Sequence, residues 1–242
     1  MCKECGCGDT EIVTVDVQQK LLSANDLAAA HNRDHFTHAG IFAINLMGSP
    51  GSGKTALLEA TARKMGGTRL AAITGDLETD RDAERLRKAG IPCAAITTGS
   101  ACHLDARMVH KALHELPTGA QDFLFIENVG NLVCPAIYDL GQALNVVALS
   151  ITEGEDKPLK YPVMFHRADL VVITKIDLEP ALPGFNRKAL EDALRRVMPR
   201  PNFLCLSAMT GEGVDAWINW LQSNRKVPAH RAHVHDLIAG SP

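Results

Sequence analysis

The chain has 242 residues, of which 46% are hydrophobic and 22% are charged, and its formal net charge is -3. This size and composition suit one large domain or two small ones, and the lack of a long basic run argues against nucleic acid as a main partner. No apolar stretch approaches the roughly 18 residues that span a bilayer, and the first residues lack the apolar segment of a signal peptide. We therefore expect a cytoplasmic protein without a membrane partner.

Three thiols, those of Cys2, Cys5 and Cys7, lie close together among glycines, where no core can form. They can share one soft or borderline metal ion. If Met1 is removed, the α-amino group of Cys2 adds a nitrogen donor, a set that suits square-planar Ni(II), with tetrahedral Zn(II) as the competitor. An iron–sulfur cluster would lack a fourth nearby thiolate. We predict a metal-binding tail and linker helix over residues 1–39.

The rest of this N-terminal region offers weaker patterns. The β-branched residues from Ile12 to Val17 predict a short extended segment, and polar residues 23–26 can cap a helix over 27–32. Three histidines follow at nearly helical spacing, and we expect them to be solvated rather than ligands. They are His31, His35 and His38.

The segment Gly48–Thr55 fits the phosphate-binding pattern G-x-x-x-x-G-K-S/T. An apolar run enters it and a helical pattern leaves it, so bare N–H groups would surround an anion at a helix N-terminus. Lys54 would reach the β- and γ-phosphates, and the Thr55 hydroxyl would bind Mg²⁺. The residues that we expect to hold the nucleotide here are Gly48, Gly51, Ser52, Gly53, Lys54 and Thr55.

From residue 40 onwards, apolar runs alternate with helical segments. This alternation is typical of an α/β fold with a mostly parallel sheet and helices on both faces, whose ligands bind beyond the carboxyl ends of the strands. We predict one nucleotide-binding domain over 40–225. The segment 226–242, with His230, His233 and His235, is expected to be disordered. The predicted strands are 41–47, 69–74, 91–97, 123–127, 145–151, 169–174 and 203–207.

Acidic residues follow two of these strands. Asp76 is our candidate for the Mg²⁺ shell, and Asp80 is our candidate for positioning or activating the attacking water. At the end of the strand 123–127, Glu127 stands where aspartate is usual, and Gly130 resembles the glycine whose N–H senses the γ-phosphate. No glutamine follows Gly130, so we expect slow intrinsic hydrolysis of the nucleotide.

Cys102 and His103 follow the third predicted strand, and Cys134 follows the fourth. Both loops leave the sheet at the edge that carries the phosphate chemistry. Two thiolates and an imidazole suit Zn(II) or Ni(II), and a ligand just after the γ-phosphate loop would couple metal occupancy to nucleotide state. The other two cysteines, Cys93 and Cys205, lie within apolar strands and are expected in the core.

The segment Thr174–Asp177 resembles the guanine-reading motif N-K-x-D. The Asp177 carboxylate can accept hydrogen bonds from guanine N1–H and its exocyclic amine, and the Lys175 stem can lie over the base. Thr174 stands where asparagine is usual, which we expect to cost one hydrogen bond to the loop or the base. Ser207 and Ala208 resemble the loop that closes over guanine. These two motifs, in this order, favour GTP over ATP.

Together these motifs resemble the hydrogenase maturation GTPases that insert nickel, the HypB family. The likeness spans nearly the whole chain, and segments 98–105 and 127–135 are specific to that family rather than general to GTPases. The matching elements are the Cys-x-x-Cys-Gly-Cys tail, 48–55, Gly75-Asp76, 98–105, 127–135 and 174–177.

The resemblance implies a P-loop GTPase of the SIMIBI type that delivers Ni(II) to the large subunit of nickel–iron hydrogenase. It also implies a small zinc-containing nickel metallochaperone as partner, and a GTP-promoted homodimer with metal at Cys102, His103 and Cys134 near the interface. The N-terminal thiols match the high-affinity nickel motif of some members only. The long histidine-rich storage tract of other members is absent from this sequence.

Two alternatives stay open at this point. The first is the urease accessory G protein, whose Cys-Pro-His motif differs from Cys102-His103 by the proline. The second is a nickel buffer whose nucleotide domain serves only as a docking switch. Lys54 distinguishes these readings. Nickel delivery driven by GTP hydrolysis requires this lysine, whereas the nickel buffer of the second alternative does not require hydrolysis.

Overall fold

A seven-stranded parallel sheet forms the centre of the protein. The computed structural model describes residues 9–66, 70–99, 101–117 and 121–225, with side chains from residue 19 onwards. The strands are β1 Phe42–Met47, β2 Leu70–Asp76, β3 Cys93–Thr97, β4 Phe123–Glu127, β5 Leu144–Ser150, β6 Leu170–Thr174 and β7 Phe203–Cys205. Their order is β3-β2-β4-β1-β5-β6-β7, and all neighbours are parallel. The predicted fold class is confirmed, and the strand bounds shift by only one or two residues.

Helices precede, follow or connect these strands, except between β4 and β5, where the connection holds only a 3-10 turn. They are α1 Asp9–Ala39, α2 Lys54–Met65, α3 Arg81–Lys88, α4 Ala106–Leu113, α5 Lys157–Lys160, α6 Pro162–His166, α7 Arg187–Val197 and α8 Val214–Arg225. Short 3-10 turns span Cys134–Ala136, Ile151–Glu153 and Ile176–Ala181. Within the described ranges, no helix is both long and apolar enough to cross a bilayer.

Alternate residues of the central strands face opposite layers of helices. On β1, Ile44 and Leu46 pack with Trp217 of α8 and with α2, whereas Ala43 on the other face packs with Phe36 of α1. Both faces of the sheet are therefore covered, which explains the near-continuous apolar strands. Cys93 and Cys205 lie half-buried against these cores.

The N-terminal helix differs from the sequence prediction. The backbone is helical from Asp9 onwards, so the extended segment predicted over 12–17 is wrong. β-branched residues cost a helix only about 0.7 kcal/mol each at most, a preference that the longer helical context overrides.

The second half of α1 packs against α4. Asn25 Nδ2 donates to Asp139 O at 2.8 Å, and Asn25 Oδ1 accepts from Ala106 N at 2.9 Å. Ala29 and Phe36 of α1 are buried, at 0% and 3% exposed. This part of the helix is thus joined to the sheet domain by apolar contact and by buried hydrogen bonds.

Candidate nucleotide and metal sites

The phosphate loop, residues 48–55, is held in shape by its own lysine. Lys54 Nζ donates to the carbonyl oxygens of Gly48 and Ser49, at 3.1 Å in both cases. Gly48 has a φ of 148°, and a Cβ there would lie 2.4 Å from Ala148 O, so only glycine fits. Lys54 is buried, and a phosphate would give its ammonium the full counter-charge that carbonyl dipoles supply only in part.

Thr55 and Glu127 place two oxygen donors side by side behind the phosphate loop. Thr55 Oγ1 donates to Glu127 Oε1 at 2.8 Å. Glu127 is 3% exposed, and its other oxygen, Oε2, is buried without a hydrogen-bond partner among the described residues. An unsatisfied buried oxygen is costly unless a ligand completes it. Adjacent hydroxyl and carboxylate oxygens are the donors that Mg²⁺ prefers, so these residues fit that ion.

This role of Glu127 was not predicted from the sequence, which placed it only in the γ-phosphate loop. The available signal was its position as the last residue of β4, next in the sheet to the strand that enters the phosphate loop. Burial raises the pKa of Glu127 to about 7, although Lys54 and the Thr55 hydrogen bond oppose the shift. Burial likewise lowers the pKa of Lys54, against the field of Glu127. The charges of the Glu127 carboxylate and the Lys54 ammonium are therefore only partly compensated. A bound cation would complete the first and a bound phosphate the second.

Asp76 lies at the same sheet edge. It ends β2, whose Thr74 is paired with Glu127 of β4. Asp76 Oδ1 accepts from Glu78 N at 3.2 Å. Asp80 is exposed and immediately precedes α3, where its side chain makes no capping hydrogen bond. Asp76 as a Mg²⁺ ligand and Asp80 as the residue that positions water stay predictions.

Gly130 lies against the phosphate loop. A Cβ at Gly130 would come within 2.7 Å of Pro50 Cγ and 2.9 Å of Pro50 N, so this approach needs a residue without a side chain. The next residue, Asn131, forms an isolated antiparallel bridge with Gly48. The segment predicted to sense the γ-phosphate is therefore in direct contact with the loop predicted to hold it.

Thr174 connects the predicted base-reading segment to the phosphate loop. It is buried at the end of β6, and its Oγ1 donates to Ser52 O at 2.6 Å. The expectation that threonine here would cost a hydrogen bond is wrong for the bond to the loop. The Thr174 hydroxyl reaches the loop carbonyl directly.

Lys175 and Asp177 follow in a constrained conformation. Lys175 has a φ of 60°, a left-handed value that costs a non-glycine residue roughly 1–2 kcal/mol. Its Nζ donates to Gly51 O at 2.6 Å, so the lysine stem extends towards the phosphate loop. Asp177 is half-buried in the 3-10 turn that begins at Ile176. A strained residue between a strand and a turn is typical of a ligand-binding loop.

The second predicted base loop lies beside the first, because β7 pairs with β6. Ser207 is buried, and its Oγ accepts from Met209 N at 3.2 Å and from Thr210 N at 3.1 Å. These bonds fold the chain into a turn that presents Ala208 at the partly exposed rim. The predicted guanine contacts of Asp177, Ser207 and Ala208 stay predictions.

The three residues predicted as an internal metal site come together. Cys102 Sγ lies 3.1 Å from Cys134 Sγ and 3.8 Å from His103 Nδ1. All three donor atoms lie within 4.8 Å of one another. Each residue is partly exposed, so a further ligand can reach the group. Two thiols and an imidazole are a donor set for Zn(II) or Ni(II).

Neighbouring groups prepare His103 for this role. Its ring stacks on the ring of Tyr138, with centroids 3.8 Å apart and an interplanar angle of 22°. Burial lowers the pKa of His103, and the Asp105 carboxylate opposes this only in part. The imidazole is therefore neutral at neutral pH and keeps a lone pair for a metal. The hydrogen bond between the Cys102 and Cys134 thiols raises the pKa of Cys134, so metal binding would displace a proton.

Asn128 joins the phosphate site to the metal site. It follows Glu127 and is 1% exposed. Its Oδ1 accepts from Leu104 N, next after His103, at 3.2 Å, and its Nδ2 donates to Asn45 Oδ1 at 3.1 Å. One buried side chain thus bridges the strand end that carries Glu127 and the loop that carries His103. The sequence offered no signal for this contact. The predicted ligands Cys2, Cys5 and Cys7, like the tail 226–242, lie outside the described residues.

Comparison with known proteins gives a consistent family. The family described as "CobW/HypB/UreG, nucleotide-binding domain" matches residues 42–204. The hydrogenase maturation factor HypB of Azotobacter chroococcum mcd 1 is 50% identical over 232 residues, which cover 93% of this chain and 76% of that protein. The crystal structure of HypB from Helicobacter pylori in complex with nickel is 40% identical, with a TM-score of 0.79 over 84% of this chain and 95% of that one. A LAO/AO transport system kinase, at 19% identity and a TM-score of 0.52 over 77% of this chain and 59% of its own, shares the fold alone, that of a SIMIBI-type P-loop protein.

Proposed function

The chain belongs to the HypB hydrogenase maturation factors of the CobW/HypB/UreG family, and we propose that it is a GTP-hydrolysing metallochaperone that delivers Ni(II) during maturation of nickel–iron hydrogenase. One observation carries the proposal. The short run 127–134 begins at a buried carboxylate bonded to Thr55 of the phosphate loop and ends at the Cys134 thiol of the metal site. Nucleotide chemistry and metal binding therefore share one piece of backbone.

Guanine is the base that the two base loops favour. A carboxylate at Asp177 can accept from both guanine N1–H and the exocyclic amine, whereas adenine offers no such pair of donors. Lys175, held by Gly51 O, would lie over the base. The hydrogen bond between Thr174 and Ser52 supports this reading, because it fixes the base-reading loop relative to the phosphates.

Hydrolysis would use the charges gathered around the phosphate loop. Lys54 would leave the loop carbonyls for the β- and γ-phosphates. Thr55, Glu127 and Asp76 would hold Mg²⁺, which supplies positive charge to the phosphate oxygens when bound. Asp80 would position water. Since no glutamine follows Gly130 in the sequence, we expect slow GTP hydrolysis to GDP and phosphate. A slow rate suits a nucleotide-dependent switch rather than a metabolic enzyme.

Nickel is the cargo. Cys102, His103 and Cys134 would bind Ni(II), with Zn(II) as the competing occupant, and the ion would leave by ligand exchange with a donor set on the receiving protein. The relative from Helicobacter pylori, with its nickel complex, supports this choice of metal. Because Asn128 bonds to Leu104 N beside His103, a shift at the magnesium site on hydrolysis would alter the metal loop. This contact supports coupling between nucleotide state and metal affinity.

The N-terminal thiols would form a second nickel site, which takes up Ni(II). Cys2, Cys5 and Cys7 and the α-amino group would hold Ni(II) tightly, and α1 links them to the domain. A variant with all three cysteines changed to alanine should lose tight Ni(II) binding and keep GTP hydrolysis. Unchanged nickel affinity in this variant would remove the assignment.

We also propose that GTP promotes a homodimer through the metal-site face. Val133 and Ile137 flank Cys134 and are 46% and 41% exposed. These two side chains supply exposed apolar surface beside the metal ligands that a second copy of the chain would cover. The proposed donor of nickel is a small zinc-containing nickel metallochaperone, and the proposed acceptor is the hydrogenase large subunit. Both partners rest on membership of the HypB family.

The experiment that tests the proposed function removes the phosphate-binding lysine. Lys54→Ala should abolish GTP hydrolysis in vitro and hydrogenase activity in cells that rely on this protein without added nickel. Lys64→Ala is the matched control, since Lys64 lies on the same helix and only pairs with Asp215 at the surface, at 2.8 Å. Active hydrogenase in Lys54→Ala cells would show that hydrolysis is dispensable and would favour a nickel buffer with a docking switch.

A further inference from the structure

Four histidines outside the nucleotide and thiol sites meet where α1 packs on α4. His110 of α4 is central to the group. Its ring centroid lies 4.9 Å from that of His31, 5.1 Å from that of His114 and 6.4 Å from that of His35. We propose that these four side chains, named here the histidine cluster, form a further metal site that binds one borderline divalent ion, Zn(II) or Ni(II).

The spacing of the cluster is that of a helical metal site. His31 and His35 are four residues apart on α1, and His110 and His114 are four residues apart on α4 and its helical C-cap. Residues at this spacing lie on one helix face, and two histidines so placed can bind one ion. Two such pairs on adjoining helices provide four imidazole nitrogens, enough to complete a four-coordinate site.

The ring separations also match a shared ion. With metal–nitrogen distances of about 2.0–2.1 Å, imidazoles that share an ion have centroids roughly 5 Å apart. The separations of His31 and His114 from His110, 4.9 Å and 5.1 Å, agree with this value. The donor nitrogens of the cluster do not lie within 4.8 Å of one another as those of the thiol site do, so ion binding requires the rings to turn. The His35 ring stands further from His110, and the rings meet edge to face. His31, His35 and His114 are exposed, so their side chains are free to rotate until all nitrogens point at one ion.

A buried asparagine sets the tautomer of the central histidine. Asn32 is 0% exposed, and its Nδ2 donates to Ala106 O at 2.8 Å and to Leu140 O at 3.1 Å. Both amide hydrogens are thereby used, so Asn32 Oδ1 faces His110 Nδ1, at 3.2 Å. An amide oxygen only accepts, and Nδ1 must carry the hydrogen. The Nε2 atom of His110 then keeps the lone pair, which is how proteins orient metal-binding histidines.

The electrostatics favour a metal over a proton. Burial, and then the neighbouring His31, His114 and His35, lower the pKa of His110. Four protonated rings so close together would repel one another, whereas one ion can accept a lone pair from each. His38, on the same helix, lies outside the cluster, because its Nδ1 contacts Asp34 O at 2.7 Å.

Occupancy of the cluster would fasten α1 to α4. Metal that binds only the folded arrangement stabilises it by mass action. The ion would therefore strengthen the docking of the helix that leads to the N-terminal thiols, in addition to the buried bonds that Asn32 already makes there. This role needs neither nucleotide nor the thiol site.

The test uses the full-length chain, titrated with Zn(II) and observed by long-range proton–nitrogen NMR of the imidazole rings. We expect the signals of His31, His35, His110 and His114 to shift together as one ion binds. The double variant H31Q/H114Q should bind one tight Zn(II) fewer, with at least tenfold weaker affinity at this site. H38Q is the control and should behave like the wild-type protein.

A Ni(II) titration followed by absorption spectroscopy identifies the donors. Nickel bound to the histidine cluster should add no thiolate-to-nickel charge-transfer band to the spectrum. The bands from the cysteine sites should therefore be equally intense in the wild type and in H31Q/H114Q. Equal GTP affinity in the two proteins confirms that the variant is folded. The proposal is overturned if the four ring signals stay in place while Zn(II) fills the thiol sites, or if H31Q/H114Q binds as many ions as the wild type.

Discussion

The backbone N–H of Leu104 donates to the side-chain oxygen of Asn128 at 3.2 Å, across a separation of 24 residues. This buried bond joins the residue after Glu127, at the proposed magnesium site, to the residue after His103, at the thiol cluster. Asn128 is 1% exposed, so water cannot readily replace the bond. The two sites can therefore respond to each other without direct contact between nucleotide and metal.

Replacing Asn128 by alanine should uncouple the two sites. In the wild-type protein we expect a non-hydrolysable GTP analogue to change Ni(II) affinity at the thiol site by roughly 5- to 150-fold, the usual range of allosteric coupling. In Asn128→Ala this factor should fall towards one, and stability should drop by about 1–3 kcal/mol because a buried donor loses its partner. Calorimetric titration of Ni(II), with and without the analogue, measures the factor.

Asn25→Ala is the matched control for this prediction. Asn25 is also a buried asparagine with two hydrogen bonds to backbone, to Asp139 O and from Ala106 N, but neither partner belongs to the segment 127–134. It should lose similar stability and keep the nucleotide effect on nickel. Full coupling in Asn128→Ala would show that Asn128 does not link the sites.

Thr174→Val should weaken the attachment of the base loop to the phosphate loop. Valine keeps the shape of threonine but leaves Ser52 O, now bonded at 2.6 Å, without its donor. We expect a loss of about 1–3 kcal/mol in the free energy of unfolding, measured in urea, together with weaker GTP binding. Thr174→Ser keeps the hydroxyl and should retain most of both. A Thr174→Val protein as stable as Thr174→Ser would contradict this role.

Glu127→Gln should separate magnesium chemistry from nucleotide binding. Glutamine can still accept from Thr55 Oγ1 but supplies no negative charge to the ion. GTP hydrolysis with Mg²⁺ should fall by roughly 10²-fold or more, while GDP binding without Mg²⁺ should change little. Glu59→Gln is the control, because it also removes a carboxylate beside α2 but affects only the surface pair with Arg85. Equal hydrolysis rates in the two variants would remove Glu127 from the site.

Asp177→Asn should change base selection. The amide no longer accepts from both guanine donors, and it can instead donate to the oxygen that xanthine carries in place of the guanine amine. The preference for GTP over XTP should therefore fall or reverse, as measured by competition binding of the two nucleotides. Retained GTP selectivity would count against Thr174–Asp177 as the base-reading loop.

Cys134→Ser should remove one ligand of the thiol site. We expect its Ni(II) or Zn(II) affinity to fall by at least tenfold, measured by competition with a metal chelator while the N-terminal cysteines are replaced by alanine. Cys93→Ser is the control, because Cys93 is half-buried and burial raises its pKa to about 11, which keeps it a thiol. Similar metal affinity in the two serine variants would show that Cys134 is not a ligand.

Much of this architecture is predictable because its signals are local. The phosphate loop, the seven strands and the Thr174–Asp177 segment each carry a pattern within a few residues. Parallel pairing then brings the carboxyl end of every strand to the same edge of the sheet. For that reason the meeting of Cys102, His103 and Cys134 could be expected before any coordinates.

The features that were missed depend on contacts between distant residues. Asn128 has no pattern of its own, and its role appears only when Leu104 lies opposite it. The ring contact between His31 and His110 could likewise not be predicted, because nothing in the sequence places α1 beside α4. The helical start of α1 was mistaken for an extended segment, since the propensities of valine and isoleucine are weaker than their surroundings.

Nucleotide-gated metal exchange is tested most directly by native mass spectrometry of the full-length chain loaded with Ni(II). We expect a monomer without nucleotide and a dimer with a non-hydrolysable GTP analogue. The number of bound nickel ions per chain should change between the two states, and this change should disappear in Asn128→Ala. A monomer with the same nickel count in both states would contradict the coupling and leave a GTPase and a metal binder side by side on one chain.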